Sequence, residues 1–416
     1  MKEVSNKLSF SQMEEEILNF WRKENIFQKS IDNRPKDKPF SFYDGPPFAT
    51  GLPHYGHLLA GTIKDVIPRY KTMRGFRVER RFGWDTHGLP VEYEVEQTLG
   101  LNGRHEIENF GEGRFNEKCR SIVLRYTREW RETVDRMARW VDFENDYKTM
   151  DIDFMESVWW VFKRLWDKEL IYEGMKVVPY SWRVSTPLSN FEANLNYKDI
   201  QDPSVTLRFK SNGRENLYFL AWTTTPWTLT ANAALAIAPD KEYVLVVHPI
   251  DSIPHRFILA KDLANATLGE NYEIIGNFKG DELVGLTYNP PFPNTELKDH
   301  AFKVLPADYV SVAEGTGIVH TAPAYGNDDN ELGRAFSLPT VHTVDLHGNV
   351  TGSFPGEGKF VKEADEDLIN DLGLRGLLYK REVIKHTYPF CWRCQTPLLY
   401  YAKSSWYIKT TDVKNQ

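Results

Sequence analysis

Apolar positions change period near residue 200. Before it they recur at helical spacing, broken by short extended runs. A Ser11-Gln-Met-Glu14 capping pattern, followed by Met13, Ile17, Phe20 and Trp21 on one face, predicts an opening helix. A polar Lys/Pro/Asp linker continues to Pro39. Phe40–Asp44 then reads as a strand, His57–Met73 as a helix and Arg77–Phe82 as a second strand, together a βαβ unit. Phe115–Val141 predicts one long helix with Cys119, Ile122, Val123, Tyr126, Trp130, Val134 and Met137 inside. Phe154–Leu170 predicts another, with Val158, Phe162, Leu165 and Trp166 in a core. From about Asp202 the pattern alternates instead. Val205–Phe209, Leu217–Trp222, Tyr243–Val247 and Phe302–Leu305, punctuated by Pro and Gly turns, predict a β-rich domain.

A chain of 416 residues exceeds one ordinary core, so two or three domains are expected. The net charge of −7 excludes a generally basic nucleic-acid wrapper. An RNA partner would need local basic surface. The stretch Arg114–Arg139, with Arg120, Arg125, Arg128, Arg131, Arg136 and Arg139, offers one, although it equally suits a solvated helix face. Three cysteines make no disulfide framework and fit a reducing cytoplasm, the expected location. The start, Met1–Lys7, is polar, without a signal-peptide core. No apolar run approaches a membrane span; the longest mild one is Ala231–Ala238.

The chain also repeats itself. Pro179-Tyr-Ser-Trp-Arg-Val-Ser-Thr-Pro-Leu188 matches Pro389-Phe-Cys-Trp-Arg-Cys-Gln-Thr-Pro-Leu398. The copies flank the β-rich block, as they would if that block were inserted into the middle of one small support. Two Cys-x-x-Cys legs would make a four-thiolate zinc site. Cys391 and Cys394 form one leg, but Ser181 and Val184 stand in the other, so no metal is expected.

Four strings carry chemistry. Phe42–His57 runs from an extended segment through Gly45-Pro46-Pro47 to His54-Tyr-Gly-His57 at a helix start. Helix N-termini present free N–H groups to phosphate, and the two histidines add donors, though they also suit a helix face without a ligand. Gly83-Trp-Asp-Thr-His-Gly-Leu-Pro-Val-Glu92 places Asp85 either to capture an amino group or to cap a helix. Trp222-Thr-Thr-Thr-Pro-Trp-Thr-Leu229 concentrates hydroxyls that can orient a water, or that simply make a side-chain turn. Gly315–Asp329 ends a strand with His320 and then the adjacent carboxylates Asp328 and Asp329.

Together these strings resemble the class I aminoacyl-tRNA synthetases, the isoleucyl type most closely, across essentially the whole chain. Leucyl enzymes tend to carry phenylalanine where His87 stands. The resemblance implies an α/β fold: half of a Rossmann-like catalytic domain with an inserted β-rich, barrel-like editing domain. It implies a helix, the first catalytic half and the start of the insertion over 1–180, the editing domain over 181–390 with its core at about 200–385, and a return leg over 391–416. It implies ATP-dependent activation of isoleucine, with Mg2+, and transfer to tRNA(Ile). His54 and His57 would serve ATP, while Gly45, Pro46 and Asp85 would line the isoleucine pocket. Thr223, Thr224 and Thr225 would contact the mischarged tRNA end or its water. Trp227 and His320 would shape an editing pocket, and Asp329, or its neighbour Asp328, would hold the wrong amino group.

Editing has a physical motive. One missing methylene is worth only about 1–3 kcal/mol, a figure for which this enzyme family is itself the standard example. The Lys-Met-Ser-Lys-Ser loop and anticodon-binding region of such enzymes do not occur in these residues. The expectation is therefore a monomeric N-terminal portion that is inactive alone in aminoacylation. The rivals are a trans-editing deacylase and a non-catalytic RNA- or protein-binding relative.

Overall fold

Ser9, not Ser11, starts the first helix, because its hydroxyl accepts from the Gln12 N–H. The computed structural model describes residues 9–297 and 301–415, so the polar start at Met1–Lys7 lies outside the described residues. Two units divide the chain, Met1–Ile171 and Tyr172–Gln416. In the first, α1 (Phe10–Lys23), α2 (Ile26–Asp32) and α3 (Tyr55–Met73) precede β1 (Arg81–Trp84). Then come α4 (Leu89–Leu99), α5 (Arg104–Phe110), α6 (Glu112–Ile122), α7 (Thr127–Arg136), β2 (Asp142–Lys148) and α8 (Ile152–Trp166).

β1 and β2 are parallel, with Gly83 opposite Tyr147. A Cβ at Gly83 would lie 2.3 Å from the Tyr147 ring, so the close approach of the two strands requires glycine. The strand expected at Phe40–Asp44 does not form; only its flanks make isolated parallel bridges, Pro39 to Arg77 and Phe48 to Asp85. The strand expected at Arg77–Phe82 forms later, at Arg81–Trp84.

The long helix expected over Phe115–Val141 is broken between α6 and α7. There the Tyr126 N–H leaves the helical pattern to meet the Ala49 carbonyl, and the Trp130 indole donates to Gly51. Tertiary bonds to the Pro-Pro turn thus override helical periodicity. Trp130 and Val134 still pack with Ala49, Phe82 and Trp84 in a small core. The inner faces of the flanking helices also differ from expectation. In α1 Leu18 is buried and Trp21 packs edge-on against Trp140, while Met13, Ile17 and Phe20 are exposed. In α8 Val158, Phe162 and Trp166 are exposed and Leu165 only half-buried, although periodicity assigned all four to a core.

The arginine stretch is not bare positive surface. Arg125 lies 3.8 Å from Glu94, Arg131 2.6 Å from Glu144 and Arg136 2.8 Å from Glu14. Arg120 and Arg128 face glutamates on their own helices, and Arg139 is buried against Asp44.

The second unit opens with β3 (Ile171–Ser181), β4 (Thr186–Pro187) and α9 (Asn190–Ala193). A nine-stranded sheet follows: β5 (Tyr197–Lys210), β6 (Leu217–Thr223), β7 (Ala234–Ile237), β8 (Glu242–Ile250), β9 (Ile253–Ala260), β10 (Glu273–Lys279), β11 (Lys303–Pro306), β12 (Ile318–Thr321) and β13 (Leu378–Pro389). Each alternating run read from the sequence falls in or across one of these strands. β14 (Leu399–Ile408) returns beside β3. The helices are α10 (Ala264–Leu268), α11 (Gly280–Leu283), α12 (Asn327–Ala335) and α13 (Val361–Leu374).

β6 is the branch point of the sheet. It pairs antiparallel with β5, and parallel with both β9 and β12. Leu207, Phe219, Leu229, Tyr243, Ile258, Tyr288 and Leu368 fill the core beneath it. The two copies of the repeat lie side by side. The Trp182 indole donates to the Pro397 carbonyl at 3.0 Å, and the Ser181 hydroxyl lies 3.6 Å from the Cys394 sulfur. Leu188, Cys391 and Leu398 pack as a satellite core between them.

Tyr243 ties three parts of this fold together. Its hydroxyl accepts from the Ala238 N–H at 3.0 Å and donates to the Gly317 carbonyl at 2.7 Å, with no exposure. Tyr243→Phe leaves both backbone groups unpaired in the core, so a loss of about 1–3 kcal/mol is expected. Urea unfolding reads this as a lower midpoint at constant slope. An unchanged midpoint would contradict the assigned bonds.

Candidate functional site

In the first unit the Gly45-Pro46-Pro47 turn is held from several sides. Asp44 is 3% exposed and meets Lys64 at 2.7 Å and Arg139 at 2.5 Å. Lys64 also donates to the Gly45 carbonyl at 2.6 Å, and the Asp85 N–H donates to the Pro47 carbonyl at 2.9 Å. Asp85 is half-buried, and its carboxylate accepts from the His87 N–H at 3.3 Å as a local turn. It does not cap α4, whose N-cap is Gly88.

His54 and His57 cap α3 reciprocally. His54 Nδ1 accepts from the Gly56 N–H at 3.1 Å, and His57 Nδ1 accepts from the His54 N–H at 3.2 Å. Their rings stack at 3.7 Å, and His57 also rests against Trp130. Because both Nδ1 atoms accept, each neutral ring carries its proton on Nε2. Burial lowers the His57 pKa, helped by His54 and Lys64. The helix start therefore offers two ring N–H donors beside the free backbone N–H groups.

The second unit brings the threonine string and His320 together. Thr223 ends β6, and Thr225 precedes a 3-10 turn at Pro226–Ala231, whose first φ is preset by Pro226. The Thr225 N–H donates to Thr223 Oγ1 at 3.2 Å. Thr228 donates its proton to the Thr225 carbonyl at 2.7 Å, so its oxygen can only accept from other partners. It does so from the Thr225 hydroxyl at 3.0 Å and from His320 Nε2 at 2.8 Å. His320 Nδ1 accepts from the Asn232 amide at 3.4 Å, and Asn232 Oδ1 accepts from the Tyr288 hydroxyl at 2.8 Å. Every proton in this chain has one direction. His320 is buried, and desolvation pushes its pKa down to about 4, so the ring is neutral. Thr224 stands half-buried between its neighbours.

Asp329 sits in the first turn of α12, a short way past His320. Its Oδ2 accepts from the Ala322 N–H at 2.9 Å, and its Oδ1 lies 3.5 Å from the Tyr309 hydroxyl. A Cβ at Gly326 would lie 2.8 Å from Asp329 Oδ2, so glycine there lets the carboxylate fold back. Burial, with Asp328 adding to it, pushes the Asp329 pKa up to about 6. Asp328 is exposed. Trp227 is 3% exposed, with its indole packed 4.8 Å from Tyr325 in the core. Its backbone N–H donates to Asp365 on α13 at 2.8 Å.

Thr228 was present in the string but had no role from sequence. Asp44 lay within the Phe42–His57 string without a role, and Asn232, Tyr288 and Asp365 carried no local signal at all. Among the described residues, no three His, Cys, Asp or Glu side chains converge as metal ligands, and no helix is long and apolar enough to cross a membrane.

The first unit thus holds a capped helix start after a Gly-Pro-Pro turn, and the second a hydroxyl chain closed by a neutral histidine. The tRNA synthetases class I (I, L, M and V) profile matches residues 16–416, and the chain belongs to that family. More narrowly, it is 48% identical over 451 residues to the isoleucine–tRNA ligase of Treponema denticola, covering 100% of this chain and 41% of that protein. It is 50% identical over 419 residues to the isoleucine–tRNA ligase of Bdellovibrio bacteriovorus, covering 99% of this chain and 39% of that protein. The chain thus spans about two fifths of the length of these curated relatives. A solved structure of the P. knowlesi cytosolic leucyl-tRNA synthetase editing domain matches 43% of this chain and 95% of its own at 12% identity, with a TM-score of 0.34.

The proton directions at His320 are directly measurable. Nitrogen NMR is expected to show the Nε2-protonated tautomer, unchanged across the range of pH 5 to 8 in which exposed histidines titrate. Its lowered pKa also contributes stability that is complete above about 6.5 and is lost as pH falls toward about 4. Titration of His320 near 6.5 would contradict the network.

Proposed function

We propose that this chain carries the hydrolytic editing site of an isoleucine–tRNA ligase, together with the ATP-binding half of its activation site. The observation that supports the reading best is the ordered chain from Tyr288 through Asn232, His320 and Thr228 to Thr225, with the Asp329 carboxylate just past the end of the same strand. The substrate is the valyl ester of tRNA(Ile). A water attacks the ester carbonyl carbon, the tetrahedral intermediate collapses and the ester C–O bond breaks, the leaving ribose oxygen taking up the proton that the water gives up, so that valine and the ribose hydroxyl are released. A threonine hydroxyl is too weak a base to take the proton, and His320 already donates its Nε2 proton inward. The threonines therefore orient the water and the terminal ribose. The Asp329 carboxylate holds the substrate ammonium and so separates an aminoacyl ester from a bare tRNA end.

In the first unit, Gly45, Pro46 and Asp85 form the isoleucine site. Asp85 takes the amino group, while the Nε2–H groups of His54 and His57 contact ATP, which arrives with Mg2+. The isoleucine carboxylate attacks the α-phosphate in line, and pyrophosphate leaves. The His54 and His57 donors follow the negative charge as it develops.

Asp329→Ala removes a charged hydrogen-bond partner worth about 1.5–3 kcal/mol, so Val-tRNA(Ile) deacylation should fall by roughly one to two orders of magnitude. In the unaltered protein the same activity should decline as pH drops below about 6, where Asp329 takes up a proton. Release of labelled valine from Val-tRNA(Ile) measures both. Undiminished hydrolysis by Asp329→Ala would remove the carboxylate from the site. No hydrolysis by the unaltered chain would count against the editing reading as a whole.

A further inference from the structure

We propose that Asp365 is a positioning residue for ester hydrolysis, acting through the backbone of the threonine turn; this rests on the editing reading above. The turn at Pro226–Ala231 is a single 3-10 segment between two strands, and its geometry decides where Thr225 and Thr228 point. Pro226 has no N–H, so Trp227 is the first residue of the turn that can be held by a donor. Its N–H is not spent inside the turn. It donates to Asp365 Oδ1 at 2.8 Å, across 138 residues of sequence. Asp365 is 2% exposed and lies on the inner face of α13, where Leu368, Ile369 and Leu372 anchor the helix in the main core. The helix thus holds the turn at Trp227, the residue between Pro226 and Thr228.

Among the described residues Asp365 forms no salt bridge. Lys362, one helical turn earlier on α13, is committed to Asp202 at 2.6 Å, and His386 of β13 shares that carboxylate at 2.9 Å. Glu366 is paired with Arg381. Asp365 Oδ2 has no hydrogen-bond partner among the described residues. Burial, set against the attraction of Lys362 and reinforced by Asp202 and Glu366, raises its pKa to about 7. A carboxyl group that burial makes costly, and that has one bonded oxygen aimed at a backbone N–H, is placed for geometry. An apolar residue would fill this core position at less cost if geometry were not needed.

The chemical requirement is an acceptor at Oδ1, not a negative charge. Asp365→Asn keeps that acceptor and should hydrolyse Val-tRNA(Ile) at close to the unaltered rate. Asp365→Leu removes it, frees the turn, and should lower kcat on the order of 10²-fold with KM unchanged, since misplacement of catalytic groups costs rate more than binding. The unaltered chain is the reference. Its failure to hydrolyse would sink the editing reading itself, whereas an active reference with a fully active, folded Asp365→Leu would overturn only the role of Asp365. An inactive but folded Asp365→Asn would also overturn it, because charge and not the acceptor would then matter. Hydrogen exchange in the unaltered chain tests the contact without any variant. The Trp227 amide should be protected like the amides of the central strands, and exchange at the rate of an exposed loop would refute the anchor.

Discussion

The hydrogen bond from His320 Nε2 to Thr228 Oγ1 is the constraint on which the arrangement of the second unit's hydroxyl row depends. A buried imidazole is tolerable only if both ring nitrogens are satisfied, since an unpaired buried polar group costs about 1–3 kcal/mol. Asn232 satisfies one side and Thr228 the other. With Thr228 locked to the Thr225 carbonyl, its oxygen can only accept, from His320 and from the Thr225 hydroxyl. The part of the network from Thr225 through Thr228 to His320 therefore has a fixed pattern of donors and acceptors. Burial acts in opposite directions on its ionisable neighbours, lowering His320 and raising Asp329, so the histidine is neutral at physiological pH while the carboxylate is close to its titration range.

The first unit solves a related problem with charge. Asp44 is buried between Lys64 and Arg139, and Lys64 holds the Gly45 carbonyl as well. Buried charge is costly unless paired, and here the pairing also immobilises the turn before the histidine motif. Reciprocal capping by His54 and His57 then commits both Nδ1 atoms and leaves the Nε2 protons for a ligand. In both units, satisfying buried or terminal polar groups dictates which protons face outward.

Much of this was legible in sequence because its signals are contiguous. The histidine motif, the threonine string and the Ile318–Thr321 strand carry their chemistry within a few residues of one another. The repeat at Pro179–Leu188 and Pro389–Leu398 gave the juxtaposition of its two copies, which meet through Trp182 and Pro397. What escaped depends on partners distant in the chain. Asn232, Tyr288 and Asp365 acquire meaning only when β12, the Tyr288 segment and α13 are brought together. Helical periodicity missed the break before α7 because the Tyr126–Ala49 bond is tertiary. It also placed the apolar stripe of α8 in a core, since periodicity identifies a face but not what covers it. The arginine stretch looked basic in sequence because its glutamate partners lie partly on other elements.

The central claim is that the hydroxyl chain and Asp329 form one site for an aminoacyl ester. The most direct measurement is a crystal structure of this chain with a non-hydrolysable amide analogue of 3′-valyl-adenosine. The account predicts the valyl ammonium at the Asp329 carboxylate and the amide carbonyl beside the Thr223–Thr225 hydroxyls, with the bond between His320 and Thr228 intact. An analogue seated elsewhere in the second unit, or an ammonium with no contact to Asp329, would contradict it.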